Sequence, residues 1–311
     1  MRFLCTTLLL WISCLAIGLS APDLAEAEPG AAHSTEHAEH HEHVLPLDAQ
    51  KIHKNIPVTN SMVMVWLAVG LIVLFCRAAT GKMKLVPTGL QNFAEWAVES
   101  LYIFLEGLMG AHLTRRTFWF FGSIFFFILV SNYLGLIPGV GTIGWNLTNG
   151  AGENVGFLGW LRGGMADINM TAAMAFTFAI LWIYWAVTEN GFGGVAKHIF
   201  APKGSFSGPM LAMMIPIFLF VGVLEVVSIA IRPVALSFRL FGNIYGGEQT
   251  MEKLMDLIPK SMQIFLSWIP AFPFYFMELL VGFVQALVFT LLCAIFLKLI
   301  CDHGDEHKAH H

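Results

Sequence analysis

Charge is what this sequence has least of. Of its 311 residues only 12% are Asp, Glu, Lys or Arg, while 57% are hydrophobic and 27 are phenylalanine; mean hydropathy is +0.69. That leaves too little polar surface to cover a water-soluble globule of this length, so the chain reads as an all-α polytopic membrane protein. Cysteine is scarce as well. Five residues do not make a disulfide framework: Cys5 and Cys14 fall in a leader-like stretch, and Cys76, Cys293 and Cys301 in or beside apolar runs. Redox chemistry is therefore not expected. The formal net charge of -4 sits mostly in tails and loops, and no nucleic-acid partner, cofactor or bound metal is expected.

What is present is a succession of apolar segments. Residues 1–27 carry Arg2, the apolar run Phe3–Leu19 and the small-x-small pattern Ala25–Glu26–Ala27, which predicts a cleaved signal peptide, with an uncleaved first span as the alternative. Residues 28–55 are acidic and His-rich, HSTEHAEHHEH at their centre, and predict a solvated, disordered extracytoplasmic segment with no enforced metal geometry. Residues 56–300 form the membrane domain, and 301–311 a cytoplasmic His-rich tail.

Spans are expected at about Val58–Cys76, Phe118–Ile137 and Asn169–Val187. Arg77, Lys82, Lys84, Arg115, Arg116, Lys197 and Lys203 flank their ends on one side, which the positive-inside rule makes the cytoplasm. Residues 88–112 alternate apolar side chains with Gln91, Glu95, Glu99 and Glu106 at helical spacing, the pattern of an interfacial amphipathic helix. Residues 139–165 are Gly-rich and predict an exposed connection. From Pro209 to about Leu257, and again from Ile264 to Ile300, the chain is helix-compatible for far longer than the ~30 Å hydrocarbon core requires. Either these segments break, with Pro216 and Pro233 as candidates, or they are long, steeply tilted helices in antiparallel contact. About five membrane segments result.

The charges inside those long segments carry the function. A charge at membrane depth costs on the order of 3 kcal/mol on insertion scales and is a functional-site hypothesis by default. Glu225, Arg232 and Arg239 are spaced by seven and nearly superimpose on a helix, with Ser228, Asn243 and Gly246 near the same stripe. Glu248, nine residues beyond Arg239, points to the other side. Glu278, Gly282 and Gln285 share a face of the last helix, where the glycine admits a close neighbour. At the start of the third span, Asp167 and Asn169 are a cap and polar groups at an outer mouth. Arg232 pairing with Glu225 within the helix is a purely structural alternative, and Glu248 as an interfacial residue is another. A fixed guanidinium beside acids that exchange protons suggests ion handling.

These residues resemble a known family. RPVALSFRLFGNIYGGE (Arg232–Glu248) is similar to the signature around the essential arginine of subunit a of the bacterial F-type ATP synthase. NYLGLIP (Asn132–Pro138), ADINMT (Ala166–Thr171) and Phe283–Phe289 resemble further landmarks of that family, in the expected order, over roughly residues 56–300. The resemblance implies a proton-channel stator subunit without bond chemistry of its own, in the bacterial plasma membrane. It implies the c-subunit ring, the peripheral-stalk b subunits and the rest of the synthase as partners, besides membrane lipid. Arg239 would face the rotating ring and separate two half-channels; Glu225, Asn243, Glu248 and Gln285 stand at polar channel positions. Glu278 is a departure, since many members carry histidine there and others a carboxylate, and Gly135 stands where some members have an acid. The competing reading, a stand-alone secondary transporter, requires an internal repeat and broken helices around a central site; no repeat is visible between the halves.

Overall fold

The computed structural model describes residues 51–53, 56–81, 83–137, 140, 144–148, 154–200, 209–256 and 268–301. The predicted leader, the His-rich segment up to Gln50, residues 257–267 and the C-terminal tail lie outside them. In chain order the elements are β1 (Lys51–His53), β2 (Ile56–Thr59), α1 (Asn60–Thr80), α2 (Leu90–Met109), α3 (Ala111–Gly135), β3 (Gly144–Thr148), β4 (Asn154–Gly159), a 3-10 turn (Gly164–Ala166), α4 (Ile168–Phe200), α5 (Pro209–Asp256) and α6 (Trp268–Cys301). Among the described residues two short antiparallel hairpins, β1–β2 and β3–β4, are the strands of a helical protein.

Five of these helices, α1 and α3 to α6, are long and apolar enough to cross a membrane. The amphipathic α2 is separated from α3 by Gly110, whose φ of 86° few other residues adopt. That break turns the chain from the α2 direction into the α3 span. One face of α2 packs inward through Leu101 and Leu105, while Phe93, Trp96 and Ile103 remain exposed.

The core is built where α3 meets its neighbours. Phe120 and Phe121 on α3 are fully buried and lie against Phe178 and Trp185 of α4, Phe120 and Trp185 with ring centroids 5.7 Å apart. Such aromatic edges contribute about 0.5–1.5 kcal/mol each beyond their area. Polar side chains close the two ends of the bundle. At one end Ser61, at the start of α1, donates to Asp167 Oδ2 at 2.7 Å, and Asp167 Oδ1 accepts from the Asn169 backbone at 3.0 Å, capping α4 as the sequence predicts. At the other, Arg116 of α3 pairs with Glu189 of α4, and Asn190 Nδ2 donates to the Ile300 carbonyl of α6 at 2.6 Å. The ends of α1, α3, α4 and α6 therefore alternate as a multi-pass bundle requires.

α5 runs unbroken for 48 residues through both Pro216 and Pro233. At ~1.5 Å per residue it is ~72 Å long, so it cannot stand upright in a ~30 Å core. Of the two sequence alternatives, a break at Pro216 or Pro233 is not what the structure shows. The third span extends further than predicted, to Phe200, through a kink at Gly191. The expected exposed connection at 139–165 requires correction at its end. Arg162 through Ala166 is buried, because glycine lets this segment press onto α1: a Cβ at Gly164 would sit 2.9 Å from Val65 Cγ2.

Candidate functional site

Seven-residue spacing places Glu225, Arg232 and Arg239 along one side of α5, and the structure keeps them there. Arg232 Nη2 donates to Glu225 Oε1 at 3.2 Å, and the guanidinium lies over the Phe296 ring of α6 at 4.9 Å. Ser228, Arg232 and Arg239 line an open groove of about 460 Å³ between α5 and α6, otherwise walled by Leu224, Leu236, Leu292 and their neighbours. Arg239 itself is exposed, flanked by the exposed Phe238 and the fully buried Leu240. Its charge thus faces out of the chain and not into its core.

Beyond Arg239 the polar groups turn inward. Asn243 Nδ2 donates to Gln285 Oε1 across the α5–α6 contact at 2.7 Å, and Gln285 is buried. One turn before Gln285 on α6, Gly282 gives its carbonyl to Asn132 Nδ2 of α3 at 3.0 Å. A Cβ at Gly282 would come within 3.3 Å of Asn132 Cβ, so the predicted close neighbour is the α3 asparagine. Ser131 Oγ, Asn132 Oδ1 and Gln285 Nε2 are buried without a hydrogen-bond partner among the described residues. Buried polar atoms of that kind are costly unless water or an ion reaches them.

Glu278, also buried, packs its carboxyl directly on Gly247 of α5: any Cβ there would overlap both carboxyl oxygens. It lies within electrostatic reach of Glu248. Glu248 in turn stands 3.9 Å from Arg162 Nε, and the Arg162 guanidinium sits 5.8 Å from the Tyr245 ring. Arg162 is only 5% exposed, a buried charge held by the fold.

The sequence-predicted residues therefore divide into two sets. Arg232 and Arg239 line the groove, with Glu225 bonded to Arg232 beside it; Asn243 with Gln285, and Glu278 with Glu248, are two pairs in the α5–α6 contact, and Glu248 also meets Arg162, just before the 3-10 turn. Asp167 is buried in its cap, bonded to Ser61, and Asn169 is exposed; neither contacts the Glu248–Glu278 pair. Arg162 was not singled out from the sequence, because its glycine-rich surroundings read as a loop. The only signal it gave was a lone arginine between two apolar stretches.

Comparison with known proteins gives the affiliation. The family described as ATP synthase A chain matches residues 62–298. The chain belongs to the ATP synthase A chain family. A protein of Solidesulfovibrio magneticus called ATP synthase subunit a is 31% identical over 79% of this chain and 86% of its own length. Proteins of the same name from Aliarcobacter butzleri and Gloeobacter violaceus are each 31% identical, over 78% and 79% of this chain and 89% and 86% of their own lengths. As a family member with five candidate spans, the chain is a multi-pass membrane protein. All of the residues in both polar sets lie inside the matched segment.

Proposed function

We propose that this chain is the proton-conducting stator subunit of an F-type ATP synthase, passing protons to a rotating ring of c subunits through two separate aqueous half-channels. It carries no bond chemistry. The observation that carries this reading is the placement of Arg239: an exposed cation on a membrane helix, directed out of the bundle, between one enclosed and one open polar region. Along α5, Glu225 lies ~21 Å to one side of Arg239 and Glu248 ~13 Å to the other. The names of its relatives, ATP synthase subunit a, support membership of that assembly.

In this reading Glu248, Glu278, Asn243 and Gln285 conduct between one aqueous phase and the ring, with Arg162 as the counter-charge that positions Glu248. The unbonded Ser131 and Asn132 oxygens are where water would complete the path. Ser228 and Arg232, the latter bonded to Glu225, line the groove that serves the other phase. The Arg239 guanidinium attracts the ring's carboxylate into its ionised form and bars direct proton passage between the two routes. Asp167 and Asn169 flank the outer mouth, Asp167 through its cap.

The orientation proposed puts Arg77, Arg115 and Arg116 in the cytoplasm of a bacterium, the mature N-terminus outside and the C-terminus inside. The b subunits of the peripheral stalk would be the remaining membrane partners. A stand-alone transporter would enclose its charged site between repeats, whereas Arg239 opens to the exterior of the chain. The test is Arg239→Ala in assembled complexes: loss of ATP-driven proton pumping and ATP synthesis is expected, and survival of either would overturn the mechanism.

A further inference from the structure

Away from the polar path, α1, α2, α3 and α6 enclose a cleft of about 750 Å³ that is almost wholly apolar. Phe75 of α1, Phe93 and Trp96 of α2, Phe126 of α3 and Leu287 of α6 are among its walls. The helices already described leave it empty of their own side chains, and its size is that of a ligand site. A helix about 10 Å across would fill such a volume within about 10 Å of its length, under two turns. A slender hydrocarbon chain matches it better than a spanning helix does.

The end of this cleft is not apolar. Phe75 and Cys76 line the cleft, and the next residue, Arg77, opens a second basin of about 450 Å³ with Lys84, Thr88 and Gln91. On α2 the same step runs from Phe93 and Ala94 in the cleft to Leu90 and Gln91 in the basin. The basin is built and not a chance gap between loose side chains. Gln91, only 8% exposed, accepts from the Lys84 backbone at 3.1 Å and donates to the Lys84 carbonyl at 3.0 Å. That clamp holds the Lys84 segment against the start of α2. The Gln91 amide also engages Glu95 at 2.8 Å, and among the described residues lining the basin none is a carboxylate.

We propose that cleft and basin together hold one anionic phospholipid, its phosphate against Arg77 and Lys84 and an acyl chain between α1, α2, α3 and α6. An amphiphile with a negative head and an apolar tail matches both halves at once, whereas a free phosphate would leave the cleft unfilled. Each cation near a membrane surface favours anionic lipid. Arg77 and Lys84 together select phosphatidylglycerol over phosphatidylcholine by on the order of tenfold or more.

The test uses the full-length chain in mild detergent, titrated with phosphatidylglycerol and with phosphatidylcholine, bound lipid being counted by native mass spectrometry. The expected result is retention of phosphatidylglycerol at least tenfold above phosphatidylcholine. In Arg77→Gln/Lys84→Gln that preference falls to near one, and in Ala97→Trp, which fills the cleft, both lipids are lost. A phosphatidylglycerol with a photoreactive acyl chain, added to the assembled complex, labels α2 between Phe93 and Phe104. Equal retention of the two lipids, or a preference that survives the double substitution, overturns the proposal. So does competition by glycerol phosphate as effective as by the intact lipid, or labelling that misses α2 because another subunit's helix occupies the cleft. The labelling needs no variant, so a misfolded Ala97→Trp leaves the proposal open to refutation.

Discussion

α3 and α5 are both apolar membrane helices, yet over the apolar 18-residue stretch of each, 56% of α3 is buried inside the chain and only 11% of α5. α3 is surrounded by α1, α2, α4 and α6 and supplies the aromatic core. α5 touches its own chain along one side and shows Val227, Ile231, Val234, Phe238 and Arg239 on the other. A helix that carries guanidinium groups but buries so little of itself is arranged for something outside the chain. α3 holds the fold, and α5 carries the function proposed above against that frame. Breaking the comparison means finding a substitution on the open face of α5 that harms folding, or one on its closed face that leaves transport intact.

The largest effect is expected at Arg239. Arg239→Ala should leave the chain assembled, since the side chain supports no buried contact, while proton-coupled ATP synthesis falls to background. The checks are ATP-driven quenching of a pH-sensitive dye in vesicles and immunodetection of the assembled complex. Assembly lost together with activity would place Arg239 in the structural half of the comparison.

Next in size are the groups on the closed face. Glu278→Gln keeps the shape and hydrogen-bonding reach of the side chain but removes its exchangeable charge. Passive proton flux should drop roughly 10²-fold with assembly unchanged. Gly247→Ala tests the same carboxyl from the other helix, because the added methyl collides with it. Gly246→Ala is its control, since a Cβ there meets nothing within 4 Å. Flux impaired at position 247 and spared at 246 would sharpen the picture; equal effects would mean that α5 does not pack on Glu278 as described.

These pairs also mark how far the sequence could be read. Arg239 and Glu278 stood out in the sequence because each is a charge amid apolar residues, and the structure places Arg239 on the open side of α5 and Glu278 buried against Gly247. The stripe of Glu225, Arg232 and Arg239 was legible because helical periodicity alone superimposes residues seven apart. The contact of Glu278 with Gly247 was not, since it depends on the register between two helices thirty residues apart, which no local pattern encodes. Gly282 showed that a neighbour would approach, but its identity, Asn132, comes from packing. Arg162 was hidden for a further reason: the glycines that let its segment fold back onto α1 are the same residues that make it look like an exposed loop.

Arg162 accordingly supplies a moderate prediction. Removing one member of a buried pair costs more than the pair is worth, because the remaining charge is stranded. Glu248 keeps a third of its side chain exposed, which reduces that penalty. Arg162→Met should destabilise the chain by about 1–2 kcal/mol, seen as a lower thermal midpoint in detergent. Adding Glu248→Gln should recover part of the loss, and that coupling is the signature of the contact. Additive losses in the double variant would separate the two residues.

The smallest effect is expected at the pair on the open groove. Arg232 and Glu225 are spaced as helix neighbours two turns apart, and their side chains are 24% and 44% exposed. Exposed pairs of this kind are worth about 0–1 kcal/mol. Arg232→Gln should therefore shift the thermal midpoint by little more than measurement error, even though the guanidinium also covers Phe296. Its effect belongs instead in transport, as a reduced flux that Glu225→Gln reproduces, because Arg232 lines the groove leading to Arg239 and Glu225 is bonded to it. A large stability loss with normal flux would reverse the assignment, making this part of α5 a structural strut and confining the second proton route to some other surface of the helix.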